Sequence, residues 1–97
     1  MNYIEFSWDE TKNKQNIKKH TVSFLEAKSV FYDIYARVMH DPEHSDNEER
    51  FIILGISMNF NLLVVVHAYI GTTEKVRIIS ARKATKKEKL QYNEFRK

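Results

Sequence analysis

Residues 50–83 read RFIILGISMNFNLLVVVHAYIGTTEKVRIISARK. Two β-rich runs, Arg50 to Met58 and Leu62 to Ile70, flank the short turn Asn59-Phe60-Asn61. A third, Lys75 to Lys83, follows the turn Gly71-Thr72-Thr73. Leu62-Leu63-Val64-Val65-Val66 is apolar on both faces, which predicts a central strand covered on both sides. Hairpin-linked strands in succession form an antiparallel meander, and this meander decides the fold class.

Upstream, Tyr3 to Ser7 reads as a short opening strand. Asp9 is a candidate N-cap for a helix from about Glu10 to Lys19, with Ile17 as its apolar anchor and Lys12, Lys14, Lys18 and Lys19 along a solvated surface. Ser23-Phe24-Leu25-Glu26 has the spacing of a capping box, and Val22 can staple onto Ala27. Phe24, Ala27, Val30, Phe31 and Ile34 recur at intervals of three and four, which predicts the buried stripe of a second helix. Tyr35 to His40 reads as a strand, ended by Pro42 and the acids after it. Downstream, Thr85-Lys86-Lys87-Glu88 is a second capping box, opening a helix to about Phe95. Condensed around the meander, the order is β-α-α-β-β-β-α. This predicts an α+β fold with helices packed on an antiparallel sheet rather than a doubly wound one. No repeat or linker divides residues 1–97, so a single domain is expected.

Composition narrows the chemistry. The chain has 97 residues, 42% of them hydrophobic and 12% aromatic, too rich for a disordered polymer. The absence of cysteine excludes disulfides, thiolate metal sites and a cysteine nucleophile. Two glycines and one proline leave no room for a Gly-rich phosphate loop. The longest apolar run, Leu62 to Val66, is far short of a membrane span, and the acidic start MNYIEFSWDE is unlike a signal peptide. A soluble, cytoplasmic protein with no membrane partner is the expectation. The formal net charge of +3 conceals an asymmetry. Residues 1–74 carry seven Lys/Arg against eleven Asp/Glu, whereas residues 75–97 carry nine against two. Residues 41–49, DPEHSDNEE, hold five acids and no Lys or Arg. A basic end beside an acidic loop suggests a polyanionic partner at one face and a repelling or protein-binding loop elsewhere; the basic end also suits a solvated helix face.

Several residue groups have chemical potential. Lys18-Lys19-His20 ends the first helix, where a histidine can move a proton and a lysine can neutralise phosphate; the same cations also complement a helix C-terminus. Arg77, Arg82 and Lys83 lie on the last strand, and arginine's planar fork suits phosphate. Strict alternation puts Arg77 and Arg82 on opposite faces, so they share a site only if the strand bulges or ends early. A charged edge strand explains them equally well. His67 interrupts the apolar central strand, either as a neutral core histidine or as an imidazole facing a groove. Glu49-Arg50 is a surface pair or a phosphate contact with its orienting carboxylate. His40 and His44 have helical spacing for a metal, but Pro42 and the acids favour a loop, and no metal is expected. Trp8, Tyr69 and Tyr92 can stack on bases or serve as core and rim.

Phe6-x-Trp8-Asp9-x-x-Lys12-x-x-x-Asn16-x-x-Lys19-His20, followed by Val22-x-Phe24-x-Glu26-Ala27, resembles the opening of the BrnT family of type II toxins. Glu49-Arg50, Gly55, Val64-Val65-Val66-His67, and Arg77-Ile78-Ile79-Ser80-Ala81-Arg82-Lys83-Ala84 with Glu88 and Tyr92 resemble its second half. Thr21 stands where the family often has Gly, and Lys83 where it often has Pro or Lys. The resemblance implies a RelE-like fold and a metal-independent ribonuclease toxin that cleaves RNA and inhibits translation, with no cofactor. It also implies neutralisation by a BrnA-like ribbon-helix-helix antitoxin that binds operator DNA. The catalytic candidates it suggests are Lys19, His20, Arg50, His67, Arg77 and Arg82. Lys83, Lys86, Lys87 and Lys89 are the RNA-binding candidates. Two other classes compete: a non-catalytic module with the element order of a double-stranded RNA-binding domain, and an inactive toxin relic that retains only antitoxin binding.

Overall fold

Asp9 accepts hydrogen bonds from the Thr11 and Lys12 amides at 2.8 and 3.2 Å, and these start the first helix. The computed structural model describes residues 4–44, 48–71 and 75–97. The Gly71-Thr72-Thr73 turn, the start of the opening strand at Tyr3, the middle of the acidic loop and the His44 side chain fall wholly or partly outside them. The elements are β1 (Glu5–Ser7), α1 (Glu10–His20), α2 (Phe24–Ser29), β2 (Arg37–His40), β3 (Phe51–Ile56), β4 (Leu62–Ile70), β5 (Lys75–Lys83) and α3 (Lys86–Phe95). Among the described residues the sheet has the order β1-β5-β4-β3-β2. The apolar strand β4 is central, as its composition predicts.

The α+β class, the meander and the strand read at Tyr35 to His40 follow the sequence reading, with one difference in the sheet. That strand, Arg37–His40, pairs antiparallel with β3 at the sheet edge, and the condensed order β-α-α-β-β-β-α leaves out one of the four strands that follow the helices. β1 runs parallel to β5, so the sheet is mixed, not wholly antiparallel. The parallel pairing arises because α1 and α2 carry the chain away before it returns through β2, β3 and β4.

The helices also differ in detail. Asn16 is the buried residue of α1, whereas Ile17 is 43% exposed. The reason lies at the sheet edge, because β1 pairs only with Lys75–Arg77 of β5. Further along, the Ala81 N–H donates to Asn16 Oδ1 (3.1 Å), and Asn16 Nδ2 donates to the Ala81 and Val22 carbonyls (2.8 Å each). The Asn16 amide therefore substitutes for a missing strand, meeting backbone groups that are costly to bury unpaired. The stripe on α2 ends earlier than its periodicity implies. The α-helix stops at Ser29, one 3₁₀ turn covers Val30–Tyr32, and Ile34 is 87% exposed. Asp33 halts it by accepting from the Tyr35 and Ile56 amides at 2.9 and 2.8 Å.

Val22, Phe24, Ala27 and Val30 pack with Ile53, Leu63, Val65, Val76, Ile78 and Ala81 on one face of the sheet. On the other face, Tyr92 of α3 packs on Leu54 and Val64. Two carboxylates tie the layers together. Ser23 caps α2 through the Glu26 amide, but the Glu26 side chain accepts from Ser57 Oγ (2.6 Å) and Asn61 Nδ2 (2.8 Å), so only half of that capping box forms. Asp33 also accepts from the Tyr92 hydroxyl at 2.6 Å. Gly55 permits this convergence, since a Cβ there would meet Ala36 Cβ and Val30 Cγ1 at 2.9 Å.

Two outcomes follow. Asn16→Ala strands the Ala81 and Val22 backbone groups and lowers unfolding free energy by about 3 kcal/mol in urea titrations; a loss within about 0.5 kcal/mol would contradict this role. Tyr92→Phe costs about 1.5–3 kcal/mol at neutral pH by removing a bond to a carboxylate. Burial opposes ionisation of Asp33, but the Tyr92 hydroxyl and the Ile56 and Tyr35 amides hold its carboxyl below the usual 3.8. The stabilisation is therefore full above that pH and fades as pH falls through the folded value. A wild-type-to-variant gap that stays constant through this acid range would argue against the bond.

Candidate active site

Where the last two strands pair, Lys75–Lys83 of β5 lies against Leu63–Ile70 of β4 and so has one residue more. Val66 pairs with Ser80, but the next residue, His67, pairs with Ile78, which leaves Ile79 as a β-bulge. This reverses the alternation midway along β5. Arg82 stands opposite Val64 and Arg77 opposite Ala68, and Val64 and Ala68 share a face of β4. The two arginines that strict alternation would separate therefore lie on one face, the one α3 covers at its far end.

Beyond α3 that face opens into a groove of about 320 Å³. Its floor is Ile52, Val64 and Val66, with Ala81 also lining it, and its polar wall is His20, Asp41, Glu43, Ser80 and Arg82. His20 reaches it because Asn16 holds α1 against Ala81. The next residue, Thr21, ends the helix in the left-handed conformation (φ 59°, ψ 24°), with its N–H bonded to the Ile17 carbonyl. Glycine adopts that conformation freely, so a threonine here is unusual. Thr21 fills the same cap, and its hydroxyl donates to the His20 carbonyl at 2.6 Å.

Arg82 is held by Glu88 through two bonds of 2.8 and 3.0 Å. This pairing, against the opposing effect of burial, holds the Glu88 carboxyl at about 2 and raises the Arg82 guanidinium. Arg77 bonds Glu48 Oε1, and Arg50 Nε lies 3.6 Å from the same oxygen. Two basic candidates thus converge on one loop carboxylate. Glu49 turns the other way and pairs with His40 at 2.5 Å.

The structure separates His67 from this face, contrary to the groove-facing expectation. Its side chain is fully buried on the opposite side of β4. It packs edge-on to Phe31 at 4.8 Å between ring centroids and near Phe51 and Tyr69. Burial pushes its imidazole below 6.5, which favours the neutral form. Lys19 is exposed on the last turn of α1, and Lys83, Lys86, Lys87 and Lys89 are exposed at the end of β5 and on α3. His40 does not pair helically with His44, because Pro42–His44 is one 3₁₀ turn. Among the described residues no group of three or more His, Asp or Glu is placed to hold a metal ion. Sequence reasoning missed Asp41, Glu43 and Glu48 as neighbours of the basic groups. Their position in an acidic loop gave no sign that these three side chains lie against the groove and its arginines.

A family model described as ribonuclease toxin, BrnT, of type II toxin–antitoxin systems matches residues 8–88. Among solved structures, the crystal structure of the Brucella abortus ribonuclease toxin BrnT superposes with a TM-score of 0.66 at 26% sequence identity. The alignment covers 87% of this chain and 100% of that one, and the α+β arrangement is shared. No curated protein matches the sequence significantly. The match to the family model runs from Trp8 through Glu88 and so takes in β5, its bulge and every polar residue of the groove. The chain belongs to the BrnT family of ribonuclease toxins of type II toxin–antitoxin systems, which act on RNA and are paired with a protein antitoxin.

Proposed function

We propose that the groove between His20 and Arg82 cleaves RNA by attack of a ribose 2′-hydroxyl on its adjacent phosphate, without a metal ion. The observation that carries this reading is the meeting of an imidazole and a guanidinium across one groove from elements far apart in the chain. In the reaction the 2′-oxygen forms a bond to phosphorus and loses its proton to a base. The bond to the 5′-oxygen breaks, and that oxygen takes up a proton. The products are a 2′,3′-cyclic phosphate and a 5′-hydroxyl. His20 is suited to one of the two proton transfers, and Asp41 or Glu43 across the groove to the other. Arg82 stabilises the charge that builds on the phosphoryl oxygens. Arg77 and Arg50 extend that cationic face, with Lys19 at its margin, while His67 is too deep on the opposite side to take part.

One domain spanning residues 1–97 carries this activity, which inhibits translation in the cytoplasm. Among the described residues no helix is long and apolar enough to cross a membrane. A BrnA-like ribbon-helix-helix antitoxin neutralises the toxin and connects it to operator DNA. The exposed lysines of α3 and Lys83 draw the RNA backbone toward the groove.

Expression of the wild-type chain in bacteria arrests growth and fragments RNA, and purified protein leaves cyclic phosphate ends. His20→Ala and Arg82→Ala each lower cleavage about 100-fold or more, while folded His67→Leu retains it. Full cleavage by both of the first two variants would overturn the assignment. Replacing Lys86, Lys87 and Lys89 together by Ala weakens RNA binding and flattens the slope of log affinity against log salt by roughly 2. A slope that is unchanged would place the RNA elsewhere.

A further inference from the structure

We propose that Glu88 is a positioning residue for RNA cleavage, orienting Arg82 so that one fork of its guanidinium is left for the scissile phosphate. The inference rests on the reading of the groove as the cleavage site. Arginine has five N–H donors. Glu88 takes the end-on pair, with Oε1 accepting from Nη1 and Oε2 from Nη2. The second Nη1 hydrogen points to the Lys83 carbonyl at 3.3 Å. The Nε–H and the outer Nη2 hydrogen remain. They are parallel neighbours on the side edge of the guanidinium, the geometry that binds two phosphoryl oxygens at once. Among the described residues neither has a partner. A guanidinium on a flexible side chain samples many orientations, and fixing one edge fixes the other.

Glu88 is itself immobilised before it meets Arg82. Its Oε1 accepts from the Thr85 amide at 2.8 Å, and its own amide donates to Thr85 Oγ1 at 3.2 Å, a complete capping box. Ala84, next to that cap, donates its amide to the Leu62 carbonyl at 2.9 Å, fixing the start of α3 to the sheet. Tyr92 fixes the same helix from its other end through Asp33. A capping box alone needs one carboxylate oxygen; Oε2 has no part in it and meets Arg82. Glu88 therefore has a contact that helix capping does not explain, and that contact is with the one arginine in the groove wall.

The experiment is single-turnover cleavage of a mixed-sequence single-stranded RNA by the wild-type chain, E88Q, T85A, R82A and the R82A/E88Q double variant, with melting followed by circular dichroism. Glutamine keeps an oxygen for the Thr85 amide but cannot offer two acceptors to Arg82, so E88Q slows the cleavage step by about tenfold or more with little change in half-saturating RNA. T85A removes the hydroxyl half of the cap, lowers the melting temperature and keeps the cleavage rate. The double variant is no slower than R82A, because Glu88 acts through Arg82. Wild-type cleavage by E88Q, or effects that multiply in the double variant, would overturn the positioning role. Full cleavage by R82A would instead overturn the groove as the site. If E88Q melts below assay temperature, the guanidinium NMR signals of Arg82 in the wild-type chain decide. Separate, slowly exchanging Nη resonances support the two-bond hold, and a single averaged resonance contradicts it.

Discussion

The extra residue at Ile79 is the constraint on which the arrangement of the site depends. A strand of strict alternation would put Arg77 and Arg82 on opposite faces, one of them under the packing of α2. The bulge lets the first half of β5 put Val76 and Ile78 into the core while the second half puts Ala81 there. Both arginines then emerge on the opposite face, at either end of an apolar floor. A local irregularity thus serves core and site together, which fits the frequent occurrence of bulges beside active sites.

The same segment explains how α1 takes part. β1 is short and covers only the start of the β5 edge. The remaining edge would expose backbone donors and acceptors beside the core, and Asn16 meets those of Ala81 with one amide group. A helix with almost no apolar surface is in this way docked firmly enough to place His20 at the groove. On the far side, Tyr92, Asp33 and Gly55 draw α3 onto the sheet, and α3 brings Glu88 to Arg82. α1 supplies one wall of the groove and α3 holds the arginine of another, and each helix is fixed by a polar side chain.

Much of the fold was legible because its signals are local. Asp9, Ser23 and Thr85 cap the helices that their spacing predicts, and the unbroken apolar run of β4 marks the central strand. What was not legible depends on contacts between distant residues. Ile34 continues the period of α2 but lies beyond the point where Asp33 turns the chain. Ile17 reads as an anchor, yet a hydrogen-bonding residue beside it does the docking. No local signal marks Ile79 as a bulge, although the need for one was visible in the positions of Arg77 and Arg82. His67 could be read either way from sequence; the aromatic rings of Phe31 and Phe51, brought by other elements, make it a core histidine. The acidic loop reads from sequence as a repelling or protein-binding segment away from the basic end, but Asp41 and Glu43 line the groove and Glu48 meets Arg77 and Arg50.

The central claim is that RNA occupies the sheet face bearing the two arginines. It is tested most directly by titrating isotopically labelled protein with a short RNA whose 2′-hydroxyls are methylated, so that it binds but cannot be cut. NMR shift changes concentrated at His20, Val66, Ser80 and Arg82, extending toward Arg77, are the predicted result. Changes confined to the opposite side, at Tyr32, Phe51, His67 and Tyr69, would contradict it.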